Sequence, residues 1–260
     1  MGKRHGKIEA LSKIKLSECE LGQGFDRTSR EVMVLRYGDI EFDPNEFSIV
    51  SDKTMGGSHS LRYVGKETDG ANICLPDGIK SGMFLFKDCK QLETPPEIPD
   101  SVTSTNAMFS GCEKLKTAPK IPASTETCIG MFEGCTSLRK APEIPDGVKY
   151  CTNMFNGCTA LEEAPELPKS VVNTVGMFED CRSLKEGVDI SENVKSAYAM
   201  YHNCSNLSNQ VKINNKNIDK QTIYSDICAC VADSHKQRDD AGDMISQCVS
   251  DSKDSGLTVV

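Results

Sequence analysis

Tryptophan is absent from this 260-residue chain, and aromatic residues of all kinds make up only 6% of it. Ligands held by ring stacking, such as bases, would find few platforms. An excess of positive charge is missing too. The formal net charge is −8 and the pI is near 5.2, which argues against nucleic acid or anionic lipid as the main ligand. No apolar run reaches the ~18 residues of a membrane helix. The opening MGKRHGKIEALSKIKL is basic, then mildly amphipathic, and holds no apolar stretch of the secretory kind. These absences lead to the expectation of a cytoplasmic protein with no membrane or nucleic-acid partner.

Catalytic and metal motifs are equally scarce. His5, His59, His202 and His235 have no second metal ligand and no nucleophile at short spacing. Cys228 and Cys230 are separated by one residue, not by the two of redox motifs. No phosphate loop, nucleophile elbow or catalytic carboxylate pair emerges. The expectation is a protein that is not an enzyme and needs neither cofactor nor metal.

Repetition, by contrast, is abundant. Residues 85–217 recite MFxGCxxLxxAPxIPxxV with a period of 23 and no insertion. Cys89, Cys112, Cys135, Cys158, Cys181 and Cys204 fall in one column, and Leu92, Leu115, Leu138, Leu161, Leu184 and Leu207 in another. A third holds Phe86, Phe109, Phe132, Phe155, Phe178 and Tyr201, each preceded by Met or, once, by Leu85. A fixed period over six copies is the mark of a stacked-coil architecture.

The spacing also accounts for most of the 13 cysteines. Equivalent residues of neighbouring coils lie in a line at roughly 5 Å steps, whereas a zinc site needs four sulfurs converging on a point. The column is therefore expected to be free thiols, packed as small buried apolar groups. After each Met-Phe pair and one variable residue comes Asp88, Gly111, Gly134, Gly157, Asp180 or Asn203, types that tolerate positive φ. Met-Phe is thus expected in one short helical turn ending on a left-handed residue. Ile98, Ile121, Ile144, Leu167, Ile190 and Ile213 mark the expected short strand.

Around this repeat region three parts are expected. Residues 1–74 form a β-rich capping unit, with strands at EVMVLRY, IEF, FSIV and SLRYV and a short helix over 8–16. Residues 75–217 form the solenoid, beginning at the half-repeat Leu75-Pro76-Asp77-Gly78-Ile79. Residues 218–260 form a helical cap and a flexible tail, although Ile223, Tyr224, Ile227 and Cys230 echo the repeat columns once more.

The 23-residue unit, with its aromatic, Cys three later, Leu three after that, then Ile-Pro and Val, resembles the BspA-type leucine-rich repeat. That resemblance implies a right-handed α/β solenoid, bacterial or phage-encoded, that binds proteins or host surfaces. It brings no catalytic residues.

Within the repeat, the variable residue before each strand isoleucine reads Glu97, Lys120, Glu143, Glu166, Asp189 and Lys212. Flanked by inward residues, it should point outward on the sheet face. Glu143, Glu166 and Asp189 would make a carboxylate strip, extended by Glu162, Glu163 and Glu186, with Arg139 and Lys140 as a basic spot beside it. The leading expectation is a module that docks a protein partner, basic in character, on this charged face, with its oligomeric state open. Alternatives are an inhibitor that imitates phosphates toward a nucleic-acid enzyme, an exported adhesin, or a small activity built from Asp39, Glu41, Asp43 and Glu46.

Overall fold

The computed structural model describes the backbone of residues 19–25, 31–37, 40–42, 46–52, 58–75 and 79–207, with Val211 and Asn214 beyond them; side chains are described at 46–48, 61–75, 79–207, 211 and 214. The helices expected over 8–16 and within 218–260 lie outside these residues.

Five strands open the chain: β1 Cys19–Phe25, β2 Glu31–Tyr37, β3 Ile40–Phe42, β4 Phe47–Asp52 and β5 Ser58–Tyr63. β1, β2 and β3 form an antiparallel three-stranded sheet in that order, and β4 and β5 form a hairpin. Strands β2 to β5 fall on the four expected apolar stretches. β1 has no counterpart in the sequence reading. Its Gly22 and Gly24 have little strand propensity alone, and each is paired with a valine of β2, Val34 and Val32.

The hairpin leads straight into the coils. Tyr63 lies 23 residues before Phe86, in the aromatic column, and its N–H donates to the Leu85 carbonyl at 2.7 Å. Phe47, Leu61 and Tyr63 are buried in the same core as the repeats. From Tyr63 onward the rings form a continuous pile. Phe86, Phe109, Phe132, Phe155, Phe178 and Tyr201 follow one another at centroid separations of 5.4–5.8 Å, with planes within 10° of parallel. Offset ring pairs add about 0.5–1.5 kcal/mol each beyond their area burial.

Backbone bonds tie each coil to the next through the Met-Phe segment. The N–H groups of Cys128, Gly130, Phe132 and Gly134 donate to the carbonyls of Tyr150, Thr152, Met154 and Asn156 in the following coil at 2.7–3.0 Å. Alternate N–H groups, of Met131, Glu133 and Cys135, turn back to carbonyls three residues earlier in their own coil. Met-Phe is therefore a turn and not helical as expected. Among the described residues the one helix is the 3-10 turn Gly70–Asn72, so the α part of the expected α/β repeat is not found there. The Gly/Asp/Asn stop is left-handed, as expected, in all six coils, at φ +60 to +75°. A second left-handed column lies four residues earlier, at Phe84, Ala107, Gly130, Asn153, Gly176 and Ala199. The alanines and the phenylalanine there conceal it from sequence, since left-handed geometry costs an L-residue roughly 1–2 kcal/mol.

The expected strand column is corrected as well. Five parallel bridges run through Ser81, Ser104, Thr127, Tyr150, Asn173 and Ser196, six residues after the isoleucines where the latter are present, and two more join Asp69 to Thr94 and Lys140 to Glu163. Ile98, Ile121 and Ile144 are buried and carry no bridge, so their periodicity reports the core and not the ladder; Ile190, also buried, does form a bridge. Prolines on both sides of Ile98, Ile121 and Ile144 remove the N–H donors a ladder needs. The second proline begins a turn instead: the Val102, Thr125, Val148 and Val171 N–H groups donate to Pro99, Pro122, Pro145 and Pro168 at 3.0–3.1 Å.

The cysteine column is buried as expected, with a further role. The Cys158 thiol donates to the Phe132 carbonyl at 3.0 Å, and that carbonyl also accepts the Cys135 N–H at 3.0 Å. The same pair recurs at Phe86, Phe109, Phe155 and Phe178. Each phenylalanine carbonyl uses both lone pairs, one within the coil and one to the next. A weak S–H donor suits a site too apolar for a hydroxyl and too polar for a methyl.

The repeat loosens at its last described coil, and three changes there fit one another. The proline column becomes Val188, which introduces an N–H. The aromatic column becomes Tyr201, whose hydroxyl accepts that N–H at 2.9 Å and donates to the Val188 carbonyl at 3.1 Å. The alanine column becomes Gly187, where a methyl would come within 3.2 Å of that hydroxyl and 2.5 Å of Val211. Tyr201→Phe is expected to leave the half-buried Val188 N–H without its acceptor and to cost about 1 kcal/mol in urea unfolding. Adding Val188→Pro, which restores the pattern of the inner coils, should recover most of that loss; equal costs for the single and double variants would refute the coupling.

Candidate interaction surface

Each coil turns its invariant side chains inward, so only variable columns reach solvent. The column between proline and isoleucine does point out: Glu97, Lys120, Glu143, Glu166 and Asp189 are exposed, while Lys212 lies outside the described residues. It carries no ladder bridge, so the column is on a proline-flanked extended stretch and not on the sheet face as expected.

The charges beside it are largely matched between coils. Arg139 holds Glu162 at 2.8 Å, and Lys185 reaches the other oxygen of that carboxylate at 2.6 Å. Lys140 pairs with Glu163 at 2.8 Å, and Lys116 with Glu93. The hydrogen bond from Lys185 holds the Glu162 carboxyl below its ordinary range, and the one that Lys140 donates to Glu163 raises the Lys140 ammonium. Arg139 and Lys140 are therefore not a separate basic spot, and Glu162 and Glu163 do not extend the acid strip. Such exposed pairs add little stability; they cancel charge and fix coil register. Glu186 is exposed. Glu143 and Glu166, on successive coils, make no ion pair among the described residues.

Chemistry of other kinds is thin. Among the described residues no three His, Cys, Asp or Glu side chains are placed to hold a metal ion. His202 stands at 3.3 Å from Glu179, on the surface. Of the carboxylates weighed for an N-terminal activity, Asp39 and Asp43 lie outside the described residues and Glu41 is described only in its β3 backbone, opposite Arg36 of β2. Glu46 is half-buried just before β4. Seven of the nine described cysteines are buried, and Cys74 is exposed. Among the described residues no helix is long and apolar enough to cross a membrane.

One surface went unnoticed in the sequence: the outer side of the bridge ladder. Three of the four exposed large apolar residues among those described lie there, Ile129 at 40%, Tyr150 at 46% and Tyr198 at 67%. The signal available was that the columns two and four residues after the buried Val column vary widely in character.

Stacked 23-residue coils with an invariant apolar interior and variable outer columns define a leucine-rich repeat solenoid. The model of the BspA-type leucine-rich repeat region matches in six copies over residues 67–162 and 129–228, and the chain belongs to this family. Among solved structures, a leucine-rich repeat protein from Bacteroides ovatus is 24% identical over 75% of this chain, with a TM-score of 0.50. A leucine rich cell surface protein from Faecalibacterium prausnitzii is 22% identical, covering 55% of this chain and 39% of its own, at a TM-score of 0.42. The leucine-rich repeat protein of T. pallidum is 20% identical, covering 65% of this chain and 91% of its own, at a TM-score of 0.40. The chain spans about half, 52%, of the length of the Bacteroides ovatus protein. No curated protein sequence matches it.

Proposed function

We propose that the chain is a non-enzymatic protein-binding module of bacterial origin that docks a basic partner protein on the carboxylate row Glu143, Glu166 and Asp189. The observation that carries this reading is selective pairing. The neighbouring Arg139, Lys140, Glu162 and Glu163 are matched with one another, while Glu143 and Glu166 stay exposed without a cation among the described residues. Adjacent like charges at roughly 5 Å steps cost on the order of 1 kcal/mol or less in water and return nothing to folding. A cationic partner would remove that repulsion and be steered by it. In this reading residues 1–74 and 218–260 close the two ends of the coil stack, which otherwise expose core edges. Tyr63, backed by Phe47, already covers the first coil's ring.

The test is capture from the source organism with the protein and with its Glu143→Lys/Glu166→Lys/Asp189→Lys variant. The expected outcome is a partner retained at low salt, released as salt screens the row, and lost in the variant. Identical capture by both proteins would remove the row from function.

A further inference from the structure

The ladder's outer face differs in character from the rest of the molecule. On its last three described coils the outward positions are Lys149, Tyr150 and Thr152, then Val172, Asn173 and Val175, then Lys195, Ser196 and Tyr198. They include two lysines, two tyrosines and two valines, but no carboxylate, in a chain whose net charge is −8. Tyr198 is the most exposed large apolar residue of the described surface, at 67%. Asn173 is already held, its Oδ1 accepting from the Thr152 hydroxyl and the Val175 N–H at 3.0 Å each. Lys149 forms one ion pair, a long one at 3.8 Å to Glu126 of the preceding coil, and both side chains remain exposed.

From this placement we propose that the face from Tyr150 to Tyr198 binds an acidic polypeptide segment carrying aromatic or aliphatic side chains. Charge complementarity selects the occupant. Lys149 and Lys195 lie two coils apart, roughly 10 Å, with the apolar row between them, so carboxylates can meet both ammonium groups while a ring or aliphatic chain covers Val172 and Val175. Over much of the remaining surface the excess of acid turns such a segment away, which directs it to this face. Tyrosines are efficient anchors because they bring large contact area with few rotatable bonds. The rigid coil beneath and the held Asn173 leave little to order on binding. This surface stands independently of the carboxylate row, which is read by a partner of the opposite charge.

The probe is a glutamate–tyrosine copolymer, titrated by calorimetry into the full chain, with polyglutamate and a lysine–tyrosine copolymer beside it. The glutamate–tyrosine polymer is expected to bind, with polyglutamate at least tenfold weaker. Tyr150→Ser/Tyr198→Ser and Lys149→Glu/Lys195→Glu should each weaken the copolymer by tenfold or more, and Glu143→Lys/Glu166→Lys should not. All these side chains are exposed, and unchanged circular dichroism confirms that each variant folds. Absence of copolymer binding, or equal binding by polyglutamate, would overturn the proposal. So would loss of lysine–tyrosine binding in the tyrosine variant, or a concentration-dependent dimer in sedimentation that this variant abolishes, since the face would then meet a basic polymer or a second copy.

Discussion

Raising the pH from 8 to 10 is expected to unfold the solenoid, and the buried thiols are the cause. An unfolded cysteine ionises near pH ~8.5. Burial pushes Cys128 up to about 11 and Cys158 up to about 12, and raises Cys112, Cys135, Cys151 and Cys181 as well. Below the unfolded value both states keep the proton, and the contribution of burial is fully present. Above it the unfolded chain releases protons that the folded chain retains, so stability falls with every further pH unit until the folded thiols ionise too. At pH 10 each thiol has lost about 2 kcal/mol. Six together remove on the order of 10 kcal/mol, the scale of a whole domain's stability.

The test is urea unfolding in reductant at several pH values. Cys128→Thr/Cys151→Thr provides the control, because the same column already holds Thr105 and Thr174 in other coils, both buried. Removing two of these thiols should lessen the fall in stability between pH 9 and 10 by about 2.4 kcal/mol. An unchanged slope would show that the thiols do not govern alkaline lability.

Phe132→Ala is expected to destabilise the chain by about 3–5 kcal/mol, the range for removing a buried ring. Its effect should exceed a simple cavity, because Phe132 touches a stacked ring on both sides, Phe109 at 5.8 Å and Phe155 at 5.6 Å. In a stack stabilised by nearest neighbours, breaking an inner contact weakens the coupling between the coils before and after it. Unfolding in urea should therefore become less cooperative, with a lower slope and non-coincident far-ultraviolet and hydrodynamic transitions. A loss below about 1 kcal/mol with an unchanged slope would contradict the continuous ring pile.

The coil was legible because burial and turn geometry leave their marks on residue type. Phenylalanine, cysteine and leucine recur wherever the interior requires them, and Gly111, Gly134 and Gly157 sit at a positive φ. The ladder was not legible. Its main bridge column reads Ser81, Ser104, Thr127, Tyr150, Asn173 and Ser196, with isolated single-residue bridges, too short for an alternating pattern to develop. Ile98, Ile121 and Ile144 looked more strand-like only because they are buried between prolines. Charges gave a partial answer: their outward direction followed from their neighbours, but the cross-coil pairing of Arg139 with Glu162 and Lys140 with Glu163 depends on which residues stack. The outer ladder face escaped notice for the same reason, since it is defined by that register. At the end of the stack, the departures at Gly187, Val188 and Tyr201 look like decay in sequence and prove to be mutually fitted in space.

The central claim is that the repeated letters are an interior. Residue-resolved alkylation of the reduced, native chain with N-ethylmaleimide tests it most directly. The prediction is that Cys74 is modified at once, while Cys112, Cys128, Cys135, Cys151, Cys158, Cys181 and Cys204 react only after denaturant is added. Rapid modification of those seven in the native protein would contradict the packed-coil account.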